Sequence, residues 1–236
     1  AAIVIEPIQG EGGFIVPPAG FLKELALWCA EHGILFIADE VMAGFGRCGE
    51  WFSIDHWDVT PDLICFAKGV NSGYVPLGGV AISDAVAATF ADRAYPGGLT
   101  YSGHPLATAA AVATLNAMQD EDMVGNAARI GEQVLGPGLR ELAARHPSVG
   151  EVRGVGVFWA IELVADRETR EPLAPYGGTS AAMGAVVASC KANGLLPFAN
   201  YNRIHAVPAC NVTDAEAAEG LRILDIALGV ADGYLG

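Results

Sequence analysis

Two residues at the ends of apolar runs give this sequence its chemistry. Asp39 closes the run from Ile34 to Ala38, and Lys68 follows the run from Leu63 to Ala67. Both runs are apolar without alternation, as expected of strands covered on both faces. Ligands of open α/β sheets bind outside the carboxyl ends of such strands. A lysine amine forms a Schiff base with a carbonyl compound, and an aspartate against a pyridine nitrogen keeps that nitrogen protonated. The pair suits pyridoxal phosphate chemistry, in which the ring is the electron sink. Taken singly, each residue also has a plain structural reading, Asp39 as a turn cap and Lys68 as an amine snorkelling from a strand end.

Between them lies Gly44-Phe45-Gly46-Arg47-Cys48-Gly49, which fits the spacing G-x-G-x-x-G. A dinucleotide fingerprint needs its first glycine at the strand end and its last at the start of a helix. Here residues 39 to 43 intervene, and "EWFSIDHWDVTPD" after Gly49 carries no convincing helix. The glycines are expected to shape a compact loop, and a nicotinamide site is the weaker reading. The histidines lack metal-ligand spacing, and His104, between Gly103 and Pro105, reads as a helix-entry residue.

The elements that must position these residues follow from periodicity. "AAIVIE", a 3.6-period segment from about Ala19 to His32, and "ILFIAD" make a βαβ unit. "DLICFA" and "GGVAIS" add strands, and an alanine-rich helix is expected over about 105–119. The result is a mostly parallel α/β sheet. Beyond residue 120 the pattern becomes α+β: a helix over about 122–145, a β-pair at "EVRGVGVFWAIEL", a helix over about 179–193 and a strand pair at "LLPFANYNRIHAVP". A last helix opens at Thr213-Asp214-Ala215-Glu216, a capping box. The expected domains are 1–118 and 119–236.

The chain has 236 residues, 52% of them hydrophobic, enough for a sizeable core. A formal charge of -14 argues against a nucleic-acid partner, since phosphate-backbone binding needs a basic surface. Five cysteines form no C-x-x-C pair and leave one over, which fits a reducing cytoplasm better than a disulfide scaffold. No segment reads as a membrane span. The opening "AAIVIE" is already a strand pattern, as expected of a chain that begins inside a fold.

With these motifs in view, the sequence resembles the class III aminotransferases, fold-type I pyridoxal phosphate enzymes, and within them the ω-amino acid:pyruvate, taurine:pyruvate-like branch. The likeness is carried by "EPIQGEGG", "DEVMAGFGRCGEWF", "PDLICFAKGVNSGYVPLGGV", "TYSGHPLATAAAVATL" and "VRGVGVFWAIEL". It implies the C-terminal part of the large mostly parallel-sheet domain followed by a small α+β domain. It also implies that Asp39 pairs with the pyridine nitrogen, that Val41 packs on the ring, that Lys68 is the aldimine lysine and proton-moving base, and that Thr100 reaches the cofactor phosphate of a neighbouring subunit. The implied assembly is a homodimer or higher homo-oligomer. Arg203 in "NYNRIHAVP" is a looser match to a substrate-carboxylate arginine, with a surface or interface ion pair as its alternative. Glu11 resembles a loop glutamate that faces substrate or pairs with that arginine. Met42 stands where many members carry a glutamine.

The implied reaction moves an amino group from an ω-amino acid or amine to a keto acid such as pyruvate, through a lysine aldimine and pyridoxamine phosphate. Two alternatives stay open: a racemase or decarboxylase on the same scaffold, and a chain that is catalytically silent by itself.

Overall fold

The computed structural model describes residues 1–235. The chain divides into two compact units, one of residues 1–10 and 16–125, the other of residues 11–15 and 126–236.

The first unit is built on four strands, β1 (Ala2–Ile5), β2 (Leu35–Asp39), β3 (Leu63–Phe66) and β4 (Gly79–Ile82), in that spatial order. The first three are parallel and β4 runs antiparallel to β3, in keeping with a mostly parallel sheet. Between β1 and β2 runs α1 (Phe21–Glu31). Its Leu22 and Cys29 pack with Phe36 of β2, Ile54 and Val59 into one core, against which Ile3 and Ile5 lie. The opposite face is open among the described residues: Val4 is 63% exposed, and Leu35, Val80 and Ile82 are exposed too. The expected cover on both faces is therefore absent from the described residues, because strand alternation sends one set of side chains away from α1.

The glycine motif forms a closed turn. Gly49 N donates to Gly46 O at 2.9 Å and Phe45 N to Trp51 O at 2.7 Å. A 3₁₀ turn (Ser53–Trp57) follows where a dinucleotide site would need a full helix. After β4 come the short α2 (Asp84–Ala88) and α3 (Pro105–Asp120), which opens with Pro105 at its first position. His104 caps α3, its Nδ1 accepting from Leu106 N at 3.2 Å.

The second unit pairs a sheet with a helical layer. The division falls within α4 (Met123–Ile130), which passes through a π-helical turn (Gly131–Leu135) into α5 (Gly136–Arg145). Then come β5 (Val149–Val155), β6 (Phe158–Asp166), the two-residue β7 (Glu171–Pro172), α6 (Ala181–Ala192), β8 (Phe198–Asn200), β9 (Arg203–Ala206) and α7 (Asp214–Asp232). The strands run antiparallel in the order β5-β6-β9-β8, with β7 beside β6. One sheet face, with Trp159, Ile161, Leu163 and Ile204, closes the main core against Ile130, Leu139, Val186, Leu224 and Leu228. The capping box at the start of α7 is formed: Glu216 N donates to Thr213 Oγ1, and Thr213 N donates to Glu216 Oε2 at 2.9 Å.

Candidate active site

In the first unit, the alternation of β2 decides where its acids point. Phe36 and Ala38 face the α1 core, so Asp39 falls on the open face with Leu35 and Ile37. Asp39 is in register with Cys65 of β3, and Lys68 lies two residues beyond the end of that strand, at the start of a 3₁₀ turn (Lys68–Asn71). The adjacent parallel strands β2 and β3 thus end in an acid and a lysine at one rim. One Asp39 oxygen accepts from Val41 N at 3.0 Å, which tethers Val41 to the strand end; the other accepts nothing among the described residues. Lys68 is exposed and makes no ion pair among the described residues. Its φ of 45° lies in the left-handed region that non-glycine residues rarely occupy. It borders an open depression of about 480 Å³ lined also by Ala67, Gly73 and residues 75–78.

Glu40 takes the opposite direction and is fully buried. Its two oxygens accept from Ile54 N at 2.7 Å and Ser53 Oγ at 2.8 Å. Burial holds its carboxyl above the ordinary range, although the hydrogen bonds from Ser53 and Ile54 pull the other way. Glu40 thereby ties the end of β2 to the 3₁₀ turn, and its neighbours Asp39 and Val41 inherit that fixed backbone. The free acid oxygen and the unpaired amine fit the two demands of pyridoxal phosphate, a partner for the ring nitrogen and a nucleophile for the aldehyde. Thr100 is exposed in the segment between α2 and α3, with no hydrogen bond to Asp39 or Lys68 among the described residues.

The second unit carries a separate polar face. On β9, Ile204 enters the core, so Arg203 and His205 share the other face. Opposite them in register stand Glu162 and Ala160 of β6. Over this face lies the 11–15 segment: the Phe14 ring stacks on Phe158 at 3.6 Å and meets the His205 ring at 4.3 Å. Arg203 is 8% exposed, its Nε is buried without a partner, and it makes no ion pair among the described residues. Its guanidinium carbon lies 5.8 Å from the Tyr201 ring centroid. A buried guanidinium nitrogen with nothing to donate to is unfavourable until an acceptor meets it. The ion-pair alternative for Arg203 therefore has no partner among the described residues.

His205 answers to the same electrostatics. Burial, then the charges of Arg203 and Arg153, lower its pKa from 6.5 to about 4, so it is neutral at physiological pH. Arg153 of β5 is held by Glu162, with Nη2 to Oε2 at 2.7 Å, and by Glu151 at 3.2 Å. Its Nε donates to Gly13 O at 2.6 Å. Glu11 is exposed in the same unit and makes no ion pair with Arg203.

Of the residues singled out from sequence, Asp39, Val41 and Lys68 thus lie around two neighbouring strand ends of the first unit, and Arg203 and Glu11 lie in the second. Glu40, Arg153 and His205 were not among them. Glu40 had a signal in its place beside Asp39, and His205 in its two-residue offset from Arg203 along a strand. Arg153 had none, since its loop partner is remote in sequence.

Residues 1–228 match the sequence model of a family described as Aminotransferase class-III. The 5-aminovalerate aminotransferase DavT of Pseudomonas aeruginosa is 40% identical, aligned over 95% of this chain and 51% of its own length. The taurine--pyruvate aminotransferase of Rhodobacter capsulatus is 41% identical over 89% of this chain and 45% of its own. Among solved structures, the taurine:2-oxoglutarate aminotransferase of Bifidobacterium kashiwanohense, in complex with PLP and glutamate, superposes with a TM-score of 0.94 at 40% identity. That match covers all of this chain and 52% of the other. The chain spans about half the length of the relatives it matches.

Proposed function

The chain belongs to the class III aminotransferases, a pyridoxal phosphate-dependent family of fold type I, and on that premise we propose that it supplies the reacting lysine and the ring-nitrogen acid of an ω-amino acid transaminase. One observation carries the reading: Asp39 closes β2 and Lys68 lies just beyond the end of the adjacent parallel β3, each without an ion pair among the described residues. When bound, pyridoxal phosphate supplies a carbonyl that condenses with amines and a ring that takes up the electron pair of a broken bond.

Lys68 Nζ would hold pyridoxal phosphate, and the same Nζ would serve as the base that takes a proton from the substrate carbon and gives it back. The free oxygen of Asp39 would keep the ring nitrogen protonated, and Val41 would offer an apolar wall to the ring. Arg203 is the residue we assign to the carboxylate of the keto-acid acceptor, through the planar fork that suits that group. Glu11, exposed and without an ion pair among the described residues, is assigned to the same substrate end. We assign Thr100 to a cofactor phosphate held by a second copy of the chain, in a homodimer or larger homo-oligomer. The donor is an ω-amino acid or amine, in keeping with the named activities of the relatives.

The test is covalent. Pyridoxal phosphate followed by borohydride should label Lys68 and leave Lys23 and Lys191, the other two lysines, unmodified by peptide mapping. Label on either of those, or on Lys68→Ala, would refute the assignment. Product analysis of the two half-reactions separates transamination from racemisation or decarboxylation. A second reading, that the chain is silent by itself, is favoured by the exposure of Val4, Val80 and Ile82 on the sheet face that carries Asp39. It requires that Lys68 be labelled only after a complementing polypeptide is added. No helix among the described residues is long and apolar enough to cross a membrane.

A further inference from the structure

We propose that Arg153 is a positioning residue for carboxylate recognition: by holding the carbonyl of Gly13 it fixes the 11–15 segment over the unpaired guanidinium of Arg203. The proposal rests on the assignment of Arg203 to the substrate carboxylate.

The geometry of the second unit gives Arg153 a role that Arg203 cannot share. Two carboxylates already neutralise it, Glu162 on β6 at 2.7 Å and Glu151 on its own strand at 3.2 Å. It is therefore not the arginine left to receive an anion. Its third nitrogen, Nε, meets Gly13 O at 2.6 Å. Glu162 and Glu151 thus act as struts that aim one N–H at the segment above.

That segment lies directly on both guanidiniums. Gly13 has a φ of 98°, and a Cβ placed on it would come within 2.6 Å of Arg203 Nη1 and 2.7 Å of Arg153 Nη2. Where the Gly13 backbone sits consequently sets the room left above Arg203. Phe14 anchors the next residue by its stack on Phe158, but a stacked ring can slide, whereas a charged donor fixes a carbonyl along one direction. Without Arg153 the segment keeps its apolar anchor and loses its register over Arg203. The loss would be felt where a carboxylate binds and not where a bare amine reacts.

The experiment compares Arg153→Lys, Glu162→Gln and Arg203→Gln in the purified holoenzyme. Lysine keeps the charge but has a single head group, so it cannot hold Gly13 O and both glutamates in one plane. Arg153→Lys should raise KM for the keto acid about tenfold with kcat within twofold. The half-reaction with a carboxylate-free amine should be unchanged, and hydrogen exchange at residues 11–15 should quicken. Glu162→Gln, which loosens Arg153 without removing it, should move the same quantities in the same direction by a smaller factor; it also covers the case in which Arg153→Lys does not fold. An unchanged keto-acid KM in both variants, while Arg203→Gln raises it, would overturn the proposal and leave the Arg203 assignment standing. An equal loss in both half-reactions would mark Arg153 as merely structural and would also overturn it. If Arg203→Gln leaves the keto-acid KM unchanged, the Arg203 assignment falls and the proposal with it.

Discussion

Replacing His205 with phenylalanine should flatten the response of stability to mild acid. The folded protein holds this imidazole neutral down to about pH 4, against 6.5 for the free side chain, because it is buried and faces the charges of Arg203 and Arg153. A base with a lowered native pKa binds its proton more readily in the unfolded chain. Its contribution is therefore intact above about pH 6.5 and is lost as the pH falls from there towards 4. Linkage over that interval makes the loss between pH 7 and pH 5 about 2 kcal/mol, of the roughly 3 kcal/mol that the full interval represents. Urea unfolding of the parent and of His205→Phe at both pH values gives the measurement. The quantity of interest is the difference of differences, from which any packing change and every other titrating group cancel. The ring environment, Phe14 at 4.3 Å and Phe198 at 5.1 Å, should accept a phenyl group, and the substitution removes a buried Nε2 that has no partner. Equal pH slopes for the two proteins, or a His205 resonance titrating near 6.5 in the folded state, would show that the two arginines and burial do not hold this imidazole neutral.

Two other expectations concern the supports of each unit. Glu40→Ala should destabilise the protein by about 3 kcal/mol, since Ile54 N and Ser53 Oγ would lose their acceptor inside a dry cavity; a urea midpoint equal to that of the parent would contradict this. In the second unit, the His146 ring lies between two carboxylates, with Nδ1 2.6 Å from Asp232 Oδ2 and Nε2 2.7 Å from Asp225 Oδ1. For Asp225 the His146 hydrogen bond holds the pKa below 3.8; for Asp232 burial pushes it up, but the Ser148 and His146 hydrogen bonds outweigh that. Carboxylates lowered in this way stabilise the fold above about pH 4 and stop doing so as the pH drops through their native values, so an Asp225→Asn, Asp232→Asn double variant should show a shallower acid-unfolding limb below pH 4 by circular dichroism.

Much of this architecture could be read from local patterns. The strand ends bearing Asp39 and Lys68, the proline-led entry to α3 and the Thr213 capping box all depend on residues a few positions apart, and the structure contains each of them. The failure of the glycine motif as a nucleotide fingerprint was legible for the same reason. What stayed hidden depends on residues brought together from afar. Apolar continuity in β2 and β3 implied two covered faces, but periodicity does not say whether the cover is local, and here one face stands open among the described residues. The 11–15 segment belongs with β5, β6 and β9 through Phe14, Phe158 and the Arg153–Gly13 hydrogen bond. Nothing in "QGEGGF" announces that. Nor does a hydrophobic window distinguish a neutral buried histidine from a charged one; that follows from two arginines that only the folded sheet sets beside it.

The π-helical turn at Gly131–Leu135 sets a phase as well as a path. Buried side chains larger than glycine step from Ala127 to Ile130, then by five residues to Leu135, and onward to Leu139 and Leu142. A regular helix advances about 100° per residue and would have carried its apolar stripe across that gap in three or four steps. The wide turn works as one inserted residue, absorbed without breaking the rod, that turns α5 back into line with the core. Dropping a residue here would leave an uninterrupted helix whose later leucines point the wrong way. The sequence from 123 to 145 thus carries two amphipathic patterns joined out of phase, and the joint lies where Gly131 lets the helix backbone rest directly against Gly156.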